Sequence, residues 1–480
     1  MPLVLYLLTI IDWIIRLVMI LVVLRKRSEP AVSLAWLSLI VIEPKLGVTL
    51  YALFGSRRLG RKRVRLHRSI LLSSRAGRRM DLQLLHIVRP RVDPACIPII
   101  GQAEKYGGMP ILGGNSVELL SDTDYTIKKI EEAIDGAKHH VHLLVYIFHP
   151  DENGRVIAQA LMRAAGRGVK CRLLVDEVGS RPLLKSRLVR ELKQSGVQVH
   201  SALPVRPVRR LLARMDIRNH RKLAVIDGCC AFTGSQNIVN ADYGNKRVGC
   251  WHDLMGKFQG PIVAQLQTVF LEDWAFETGE LLDNEPGVFP EPVPVGQMAA
   301  QTVPTGPSDV SEYRVIERVL MTAFNGARRR ITITTPYLIP DEATILALSM
   351  AVDRGVIVDI VVPRQGDHPL VQAASRHYYD ALLQAGARIY LHGDGLIHAK
   401  TITVDDSVAL LGSTNMDRRS FTLNMELNVL MYGEQIVSRM RFAQQIYINQ
   451  SRLLDKRQWF TRPATHRYRQ AFAALFSPLL

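Results

Sequence analysis

The sequence predicts an α/β fold of two similar domains, each a mixed β-sheet flanked by helices, which form a pseudo-twofold pair preceded by N-terminal transmembrane helices. Three observations predict it: an apolar amino end, a strand and helix pattern that occurs twice in the same order, and a proline-rich stretch between the two copies. At 480 residues and 48% hydrophobic content, the chain is long enough for more than one domain and a membrane segment.

The amino end begins with an almost unbroken apolar run, residues 3–24. At a rise of about 1.5 Å per residue a helix of this length spans about 33 Å, enough for a bilayer core of about 30 Å. Asp12 and Arg16 interrupt the run at i, i+4 spacing, so they can pair on one helix face. The run therefore predicts a membrane-spanning helix.

A second apolar run, residues 31–55, is broken near its middle at Glu43 and Pro44. The break predicts either a kinked spanning helix or a re-entrant hairpin. Together the two runs predict a membrane anchor over residues 1–56, with one or two transmembrane or re-entrant helices.

Basic residues crowd the end of this anchor, between Arg57 and Arg68, and a smaller group follows the first run. The net charge of +17 and the pI near 9.8 fit either nucleic acid or an anionic membrane surface, and the apolar amino end favours the membrane. The positive-inside rule places the rest of the chain in the cytoplasm, for one span or for two. We predict a basic juxtamembrane connector over residues 57–113.

The remainder of the chain contains an internal repeat. The β-rich runs 139–148 and 329–338 each end near an aromatic residue, and each is followed by a helix, a strand, a second helix and another strand. The tripeptide RGV, at 167–169 and at 354–356, marks the end of the first helix in both copies. The repeat predicts an α/β duplication with one sheet per half.

A proline-rich stretch, residues 283–309, separates the two copies. Its six prolines argue against a helix or a central strand, so we predict an extended linker. The predicted domains are then residues 114–282 and residues 310–480, the second including C-terminal helices.

The pattern HxKxxxxD occurs once in each half. Alternate positions of an extended chain point to one face, so the histidine and the lysine of each copy project together. One such pair would be weak evidence, but two copies at matching places in a repeat predict a single shared active site. The candidate catalytic residues are His220, Lys222 and Asp227 in the first copy and His398, Lys400 and Asp405 in the second.

Polar residues follow both copies at the same spacing. GSQN and GSTN each begin seven residues after the motif aspartate, and a carboxylate seven residues before a glycine follows in each half. We predict phosphate-binding residues at Ser235, Asn237, Ser413 and Asn415, and supporting carboxylates at Asp253 and Glu426.

This set supplies what phosphodiester exchange needs. One imidazole attacks phosphorus, the other protonates the departing alcohol, and the lysines with the serines and asparagines hold the phosphoryl oxygens. A carboxylate hydrogen-bonded to the far nitrogen of each ring fixes its tautomer, a task that Asp253 and Glu426 suit. We assign Asp227 and Asp405 to scaffold hydrogen bonding and charge balance. No nucleotide motif or zinc-spaced cluster occurs in the sequence, so we expect no cofactor and no metal.

These residues resemble the phospholipase D superfamily, whose hallmark is a duplicated HxKxxxxD with a trailing GSxN. Segments 335–342, 374–390, 412–421 and 423–428 are similar to those of bacterial cardiolipin synthases. The resemblance implies two phospholipase D-like domains at the bacterial inner membrane. It also implies transfer of a phosphatidyl group from one phosphatidylglycerol to another, giving cardiolipin and glycerol through a phosphatidyl-histidine, with His220 as the nucleophile. The expected partners are phosphatidylglycerol and anionic membrane lipid, without nucleic acid, and the oligomeric state stays open.

Three other functions are consistent with the residues. A phospholipase D-type hydrolase would use water as acceptor and release phosphatidic acid. A membrane-anchored nuclease of the same superfamily would suit the basic charge but not the apolar amino end. A lipid-binding scaffold would not need an intact histidine and lysine in both copies.

The carboxyl end, residues 466–480, predicts a helix with Phe472, Leu475 and Phe476 on one face. We expect this face to pack on the second domain, and contact with the membrane is the alternative.

Overall fold

The computed structural model describes residues 2–25, 30–55, 83–204, 217–244, 247–283, 285–306 and 314–477. The chain divides into two compact units. The described residues up to 55 belong to an amino-terminal unit, and those from 83 onward belong to what we call the α/β unit. The predicted basic cluster between Arg57 and Arg68 lies outside the described residues.

The amino-terminal unit consists of α1 (Pro2–Arg25), α2 (Pro30–Ile42) and α3 (Pro44–Phe54). The predicted break in the second apolar run is confirmed, because Glu43 and Pro44 separate α2 from α3. The predicted pairing in the first run is also confirmed, since Arg16 forms an ion pair with Asp12.

Nowhere in the described ranges does a helix combine the length and the apolar character needed to cross a membrane, so the predicted transmembrane helices are not found there. The 13 residues of α2 and the 11 of α3 rise about 20 Å and about 17 Å, against about 30 Å for a bilayer core.

The α/β unit is built on one sheet of 15 strands. The predicted arrangement of one sheet per half is therefore wrong, because strands of both halves hydrogen-bond in a single sheet. The strands of the α/β unit are β1 Leu112–Leu120, β2 His140–Val145, β3 Lys170–Asp176, β4 Gln198–Ala202, β5 Leu223–Ile226, β6 Cys230–Gly234, β7 Trp251–His252, β8 Met255–Gln259, β9 Met298–Thr305, β10 Arg330–Thr334, β11 Leu338–Ile339, β12 Ile357–Pro363, β13 Arg388–His392, β14 Leu396–Ile397, β15 Thr401–Val404, β16 Val408–Gly412, β17 Met416–Asp417, β18 Glu426–Tyr432 and β19 Ser451–Leu453. Fifteen of them form the large sheet, in the order β19-β13-β12-β10-β15-β16-β18-β9-β1-β8-β6-β5-β2-β3-β4, and β11 with β17 and β14 with β7 form two two-stranded sheets.

The two halves are arranged in the same order outward from the centre of the sheet. Strands β1 and β9 meet antiparallel at the centre, and from them β8-β6-β5-β2-β3-β4 extends one way and β18-β16-β15-β10-β12-β13 the other. The predicted duplication is confirmed, with β19 as an additional edge strand of the second half. In both halves the glycine of RGV adopts a positive φ, 86° at Gly168 and 87° at Gly355, where the helix turns into the next strand.

Helices cover both faces of this sheet. Five of them begin at an aspartate that accepts the backbone N–H three residues on, among them Asp151 and Asp341 at equivalent places in the repeat. The helices are α4 Ile97–Gln102, α5 Thr123–Asp135, α6 Glu152–Gly166, α7 Arg181–Lys185, α8 Arg187–Gln194, α9 Ile262–Thr278, α10 Val315–Gly326, α11 Glu342–Asp353, α12 Pro369–Ala385, α13 Arg418–Thr422, α14 Glu434–Asn449, α15 Lys456–Phe460 and α16 Ala464–Ala474, with a 3-10 turn at Pro94–Cys96 and a π turn at Ala103–Gly107.

The described part of the predicted connector, residues 83–113, belongs to the α/β unit. Cys96, Ile99 and Ile111 are buried in the same apolar cluster as residues of α10 and β10. The interpretation as a connector was wrong for this part, because these apolar side chains complete the core of the second half.

The predicted proline-rich linker also contains a central strand, β9, despite Pro304. The N–H of Thr302, two residues earlier, donates to Gln265 Oε1 on α9 rather than to β18. Because backbone direction alternates along a strand, the nitrogen of Pro304 also faces away from β18, so the missing donor breaks no ladder bond. The interpretation of all of residues 283–309 as a linker was therefore wrong.

Candidate active site

The two HxKxxxxD copies lie at equivalent strands of the two halves. Strands β5 and β15 begin directly after Lys222 and Lys400. The backbone N–H of His220 donates to Met425 O at 2.9 Å, and that of His398 donates to His252 O at 2.8 Å. Each histidine backbone is thus held by the chain of the opposite half, next to the carboxylate that the sequence analysis singled out there.

The histidine–carboxylate pairs therefore cross between the halves. His398 Nδ1 lies 2.6 Å from Asp253 Oδ1, and His220 Nδ1 lies 3.2 Å from Glu426 Oε1. The Asn424 amide also approaches His220 Nδ1, at 3.3 Å. The structure places both predicted carboxylates at the histidines, and it makes neither half complete without the other.

Two of the predicted phosphate-binding residues are hydrogen-bonded to the carboxylates of the site. Ser235 Oγ donates to Asp253 Oδ1 at 2.6 Å and accepts the N–H of Leu254, while Ser413 Oγ donates to Glu426 Oε2 at 2.5 Å. A serine hydroxyl has one proton to donate, and in each copy it donates that proton to a carboxylate. In this arrangement the two hydroxyls orient the carboxylates that hold the histidines, and phosphate binding by Ser235 and Ser413 stays a prediction.

The two asparagines differ from each other. Asn237 Oδ1 accepts the backbone N–H of Ile147 at 3.1 Å, which fixes the chain after β2. Asn415 Oδ1 is buried and has no hydrogen-bond partner among the described residues.

The two lysines are buried at the centre of the site. Each Nζ donates to the carbonyl of the histidine two residues earlier, at 2.6 Å in both copies. Burial lowers the pKa of Lys222 to about 8 and that of Lys400 to about 7, while the nearby carboxylates Asp253 and Glu426 favour the charged forms.

His398 and Asp253 form a tightly coupled pair. Burial, with Lys400 close by, lowers the pKa of His398 to about 4, although Asp253 opposes this. Burial disfavours ionisation of Asp253, but the His398 ring and Lys400 outweigh burial and lower the pKa of the carboxyl to about 2. An ionised carboxylate only accepts hydrogen bonds, so the neutral ring carries its proton on Nδ1 and leaves the Nε2 lone pair free.

The motif aspartates support the backbone. Asp227 accepts the N–H groups of Lys138, His139 and His140 at 2.8 Å each, and Asp405 accepts those of residues 328–330 in the equivalent place. Both adopt the left-handed conformation, with φ of 51° and 48°. The geometry agrees with scaffold hydrogen bonding rather than with contact to a substrate.

We expect Asp227→Asn to lower the free energy of unfolding by about 1–3 kcal/mol, because one amide oxygen replaces two charged acceptors for three N–H donors. Burial raises the pKa of Asp227, but the N–H groups of His140, Lys138 and His139 lower it overall. The contribution of ionised Asp227 to the free energy of unfolding is therefore present above the unfolded-state pKa of about 4. It is lost as the pH falls through the folded-state pKa of this carboxyl. Urea unfolding at several pH values measures it. Asp353→Asn, at an exposed position, is the control, and equal stability of both variants would contradict the assignment.

Two aromatic rings contact the histidines and were missed in the sequence. The Tyr146 ring centroid lies 4.3 Å from that of His220, and the Trp251 centroid lies 4.7 Å from that of His398. Lys222 Nζ also lies 5.3 Å from the Tyr146 ring. Tyr146 could have been found in the sequence as an aromatic residue near the end of the repeated β-rich run. Trp251 could have been found as the aromatic residue two positions before Asp253.

The segment around His220 is held by buried ion pairs that the sequence analysis also missed. Arg221 Nη1 donates to Asp273 Oδ1 on α9 at 2.6 Å, and its Nε donates to the backbone carbonyl of Glu426 at 3.1 Å. Arg218 pairs with Asp176 at 3.3 Å. Arg221 thereby joins the first motif to the strand that carries the carboxylate of the second half.

The chain is similar to known proteins over nearly its whole length. The family model described as cardiolipin synthase, PLD-like domain, matches residues 130–274 and 320–445. Cardiolipin synthase A of Yersinia pseudotuberculosis serotype IB (strain PB1/+) is 34% identical over 464 residues, which cover 96% of this chain and 95% of that protein. The protein of the same name from Yersinia pestis is also 34% identical over the same shares.

A solved structure shows the same fold. Phosphatidylserine synthase of Haemophilus influenzae Rd KW20 superposes with a TM-score of 0.59 over 79% of this chain and 97% of that one, at 16% identity. The family match, in two segments that contain the two motifs, agrees with the duplicated architecture. The chain belongs to the cardiolipin synthase family of phospholipase D-like proteins.

Proposed function

We propose that this protein is a cardiolipin synthase, a phosphatidyltransferase that joins two phosphatidylglycerols and releases glycerol. The observation that carries the chemistry is the crossed arrangement, in which two histidines, each beside a carboxylate of the opposite half, flank two buried lysines. The choice of phosphatidylglycerol as donor and acceptor rests on the family and on the relatives named cardiolipin synthase A.

In the first step the phosphodiester anion of one phosphatidylglycerol binds beside Lys222 and Lys400. Its charge favours the ammonium forms and also raises the pKa of His398, which takes up a proton that Asp253 stabilises. His220 Nε2 attacks phosphorus, the bond from phosphorus to the glycerol oxygen breaks, and His398 gives its proton to that oxygen. The product is a phosphatidyl-histidine whose positive ring lies beside Glu426.

In the second step a hydroxyl of another phosphatidylglycerol replaces glycerol. His398, now neutral, accepts the proton of this hydroxyl, whose oxygen attacks phosphorus and releases His220. Asn415 Oδ1 and the indole N–H of Trp251 have no partner among the described residues. We assign the amide oxygen to accept a hydrogen bond from a substrate hydroxyl and the indole N–H to donate to a substrate oxygen. His220 is our choice of nucleophile because its side chain is 22% exposed, against 10% for His398, and an incoming lipid phosphate reaches it more readily.

Purified full-length protein with phosphatidylglycerol in detergent micelles tests this function. We expect cardiolipin and free glycerol in equal amounts, separated by thin-layer chromatography. Phosphatidic acid without cardiolipin would instead identify a hydrolase, and no change in the lipid would contradict an enzymatic role for the site.

We expect kcat/KM to fall with rising pH in two stages. It falls above about 4, because His398 of the free enzyme is then neutral and must take up a proton on binding, and more steeply above about 7 to 8, because the free enzyme then also loses the lysine charges that bind the phosphodiester. The pKa values lowered by burial, about 7 for Lys400 and about 8 for Lys222, set this range. The bound anion favours the charged lysines, so the alkaline limb of kcat should lie at higher pH. Initial rates across the pH range measure how kcat/KM and kcat each depend on pH. If the alkaline limb lay at the same pH for kcat/KM and for kcat, the assignment of this limb to the lysines would be contradicted.

We propose also that the amino-terminal unit attaches the enzyme to the bacterial cytoplasmic membrane, with the α/β unit on the cytoplasmic side. Large apolar side chains of the unit face solvent, among them Trp13, Leu17 and Leu21 on α1. Such side chains are stabilised by transfer into lipid. Cell fractionation tests the attachment: the protein should stay with the membrane in high salt and leave it in detergent, and recovery in the salt supernatant would contradict it.

The predicted domain boundaries near residues 114, 282 and 310 need adjustment under this proposal. Because β1 begins at Leu112 and β9 at Met298, we place the start of each half at or before these strands.

A further inference from the structure

The carboxyl-terminal helix α16 and the turn after it expose a row of apolar side chains. Tyr468, Phe472 and Leu475 are 77%, 63% and 73% exposed, and Phe476 is 37% exposed. Their spacing of i, i+4, i+7 and i+8 places them along one helix face. We call these four residues the C-terminal apolar face. The prediction that Phe472, Leu475 and Phe476 pack on the second domain was therefore wrong for Phe472 and Leu475, whereas Phe476 is buried over most of its surface.

The side of this helix that does pack on the protein is small and polar. Gln470, Ala473 and Ser477 are buried, and Ala473 packs against Ile339 and Ala374. A helix at a water-exposed surface normally buries its large apolar residues and exposes its polar ones. The reversed arrangement indicates that the exposed side meets an apolar environment.

The charge of the helix indicates which apolar environment this is. His466, Arg467 and Arg469 are exposed, and α16 contains no acidic residue. Aromatic rings beside arginines suit the interface of a bilayer, where the rings enter the acyl boundary and the guanidinium groups meet anionic phosphates. An anionic lipid surface matches both parts of the helix.

The C-terminal apolar face is connected to the active-site side of the second half. Ile339, which packs on Ala473, belongs to β11, and β11 pairs in register with β17. β17 begins at Met416, directly after Asn415. The strand pair β11–β17 thus connects α16 with the GSTN segment of the site.

We propose that the C-terminal apolar face inserts into the anionic bilayer that contains the substrate and holds the second-half side of the active site at the lipid surface. The inference rests on the proposed function, because it takes the substrate to be a membrane lipid. It adds a second membrane contact, within the α/β unit itself, that positions the site relative to the headgroups.

A photolabelling experiment locates the contact without altering the protein. Full-length protein is bound to vesicles of phosphatidylcholine with phosphatidylglycerol that carries a diazirine on its acyl chain, illuminated and digested with trypsin. We expect lipid adducts on the peptide 470–480. The peptide that begins at Phe442, which is 70% exposed on α14, is the internal reference. Labelling of 470–480 no higher than that of the reference would overturn the proposal.

Two matched variants test the consequence for activity. Phe472→Ser with Phe476→Ser should lower the rate on phosphatidylglycerol vesicles about tenfold or more, since two aromatic side chains no longer enter the lipid. The rate on detergent micelles should stay unchanged, and Phe442→Ser should retain both rates. An equal loss in vesicles and micelles, or no loss in vesicles, would overturn the proposal. Failure of the proposed function is seen separately, as absence of cardiolipin from the wild-type protein in micelles, and the photolabelling result does not depend on it.

Discussion

Replacing either active-site histidine with alanine should lower the rate of cardiolipin formation at least about a thousandfold, because the reaction needs both a nucleophile and a general acid. The two variants should differ with a donor whose leaving group needs no proton. Phosphatidyl-p-nitrophenol is such a donor, since p-nitrophenolate departs without protonation.

With this donor His398→Ala should release a burst of p-nitrophenolate and then stop. His220 still attacks phosphorus, but the base that activates the acceptor hydroxyl is missing, so the phosphatidyl-enzyme accumulates. His220→Ala should show no burst, because the attacking imidazole is absent. Mass spectrometry of the digested burst product should place the phosphatidyl group on His220.

His377→Ala, at an exposed position on α12, is the control and should retain full activity. Thermal unfolding checks that all three variants fold. A burst in His220→Ala, with the label on His398, would reverse the assignment of the two roles. The crossed geometry would still hold, since it treats the two rings alike.

Replacing Asp253 or Glu426 tests whether each carboxylate acts on the histidine of the opposite half. Asp253→Asn should lower cardiolipin formation about a thousandfold or more, because an amide cannot hold His398 in the tautomer with its proton on Nδ1 or stabilise its charged form. Glu426→Gln should impair His220 through the equivalent contact, and less strongly, since 3.2 Å separates Glu426 from the ring against 2.6 Å for Asp253.

The p-nitrophenolate burst distinguishes crossed pairs from pairs within one half. In the crossed arrangement Asp253→Asn behaves like His398→Ala and leaves the burst nearly unchanged, whereas Glu426→Gln slows it. If each carboxylate served the histidine of its own half, Asp253→Asn would slow the burst instead. Thermal unfolding of both variants detects a loss of folding, so the two measurements together separate positioning from stability.

Local sequence patterns predicted the features that depend on short stretches of chain. The duplicated HxKxxxxD, the repeated order of strands and helices and the break at Glu43–Pro44 are all set within a few residues to a few tens of residues, where periodicity and proline chemistry act. Asp253 and Glu426 also appeared in the sequence as matching positions of a repeat.

Other features depend on contacts between distant segments. The joining of the halves into one sheet at β1 and β9 follows from hydrogen bonding between strands far apart in sequence, and so does the acceptance of Pro304 in a central strand. Serine hydroxyls that looked available for phosphate were already bonded to carboxylates. The apolar residues of α16 and of the turn after it looked like core, but the side that packs on the protein consists of Gln470, Ala473 and Ser477.

The sequence by itself determined which residues we propose for the chemistry of this protein: two histidines, two lysines and two carboxylates in matching places of a duplicated chain. Only the tertiary structure decided that each carboxylate lies beside the histidine of the other half. The physical reason is that the backbone of each histidine pairs with the segment next to the opposite carboxylate, His220 with Met425 and His398 with His252. A hydrogen-bonded contact between the halves sets that choice, and no spacing along the chain encodes it.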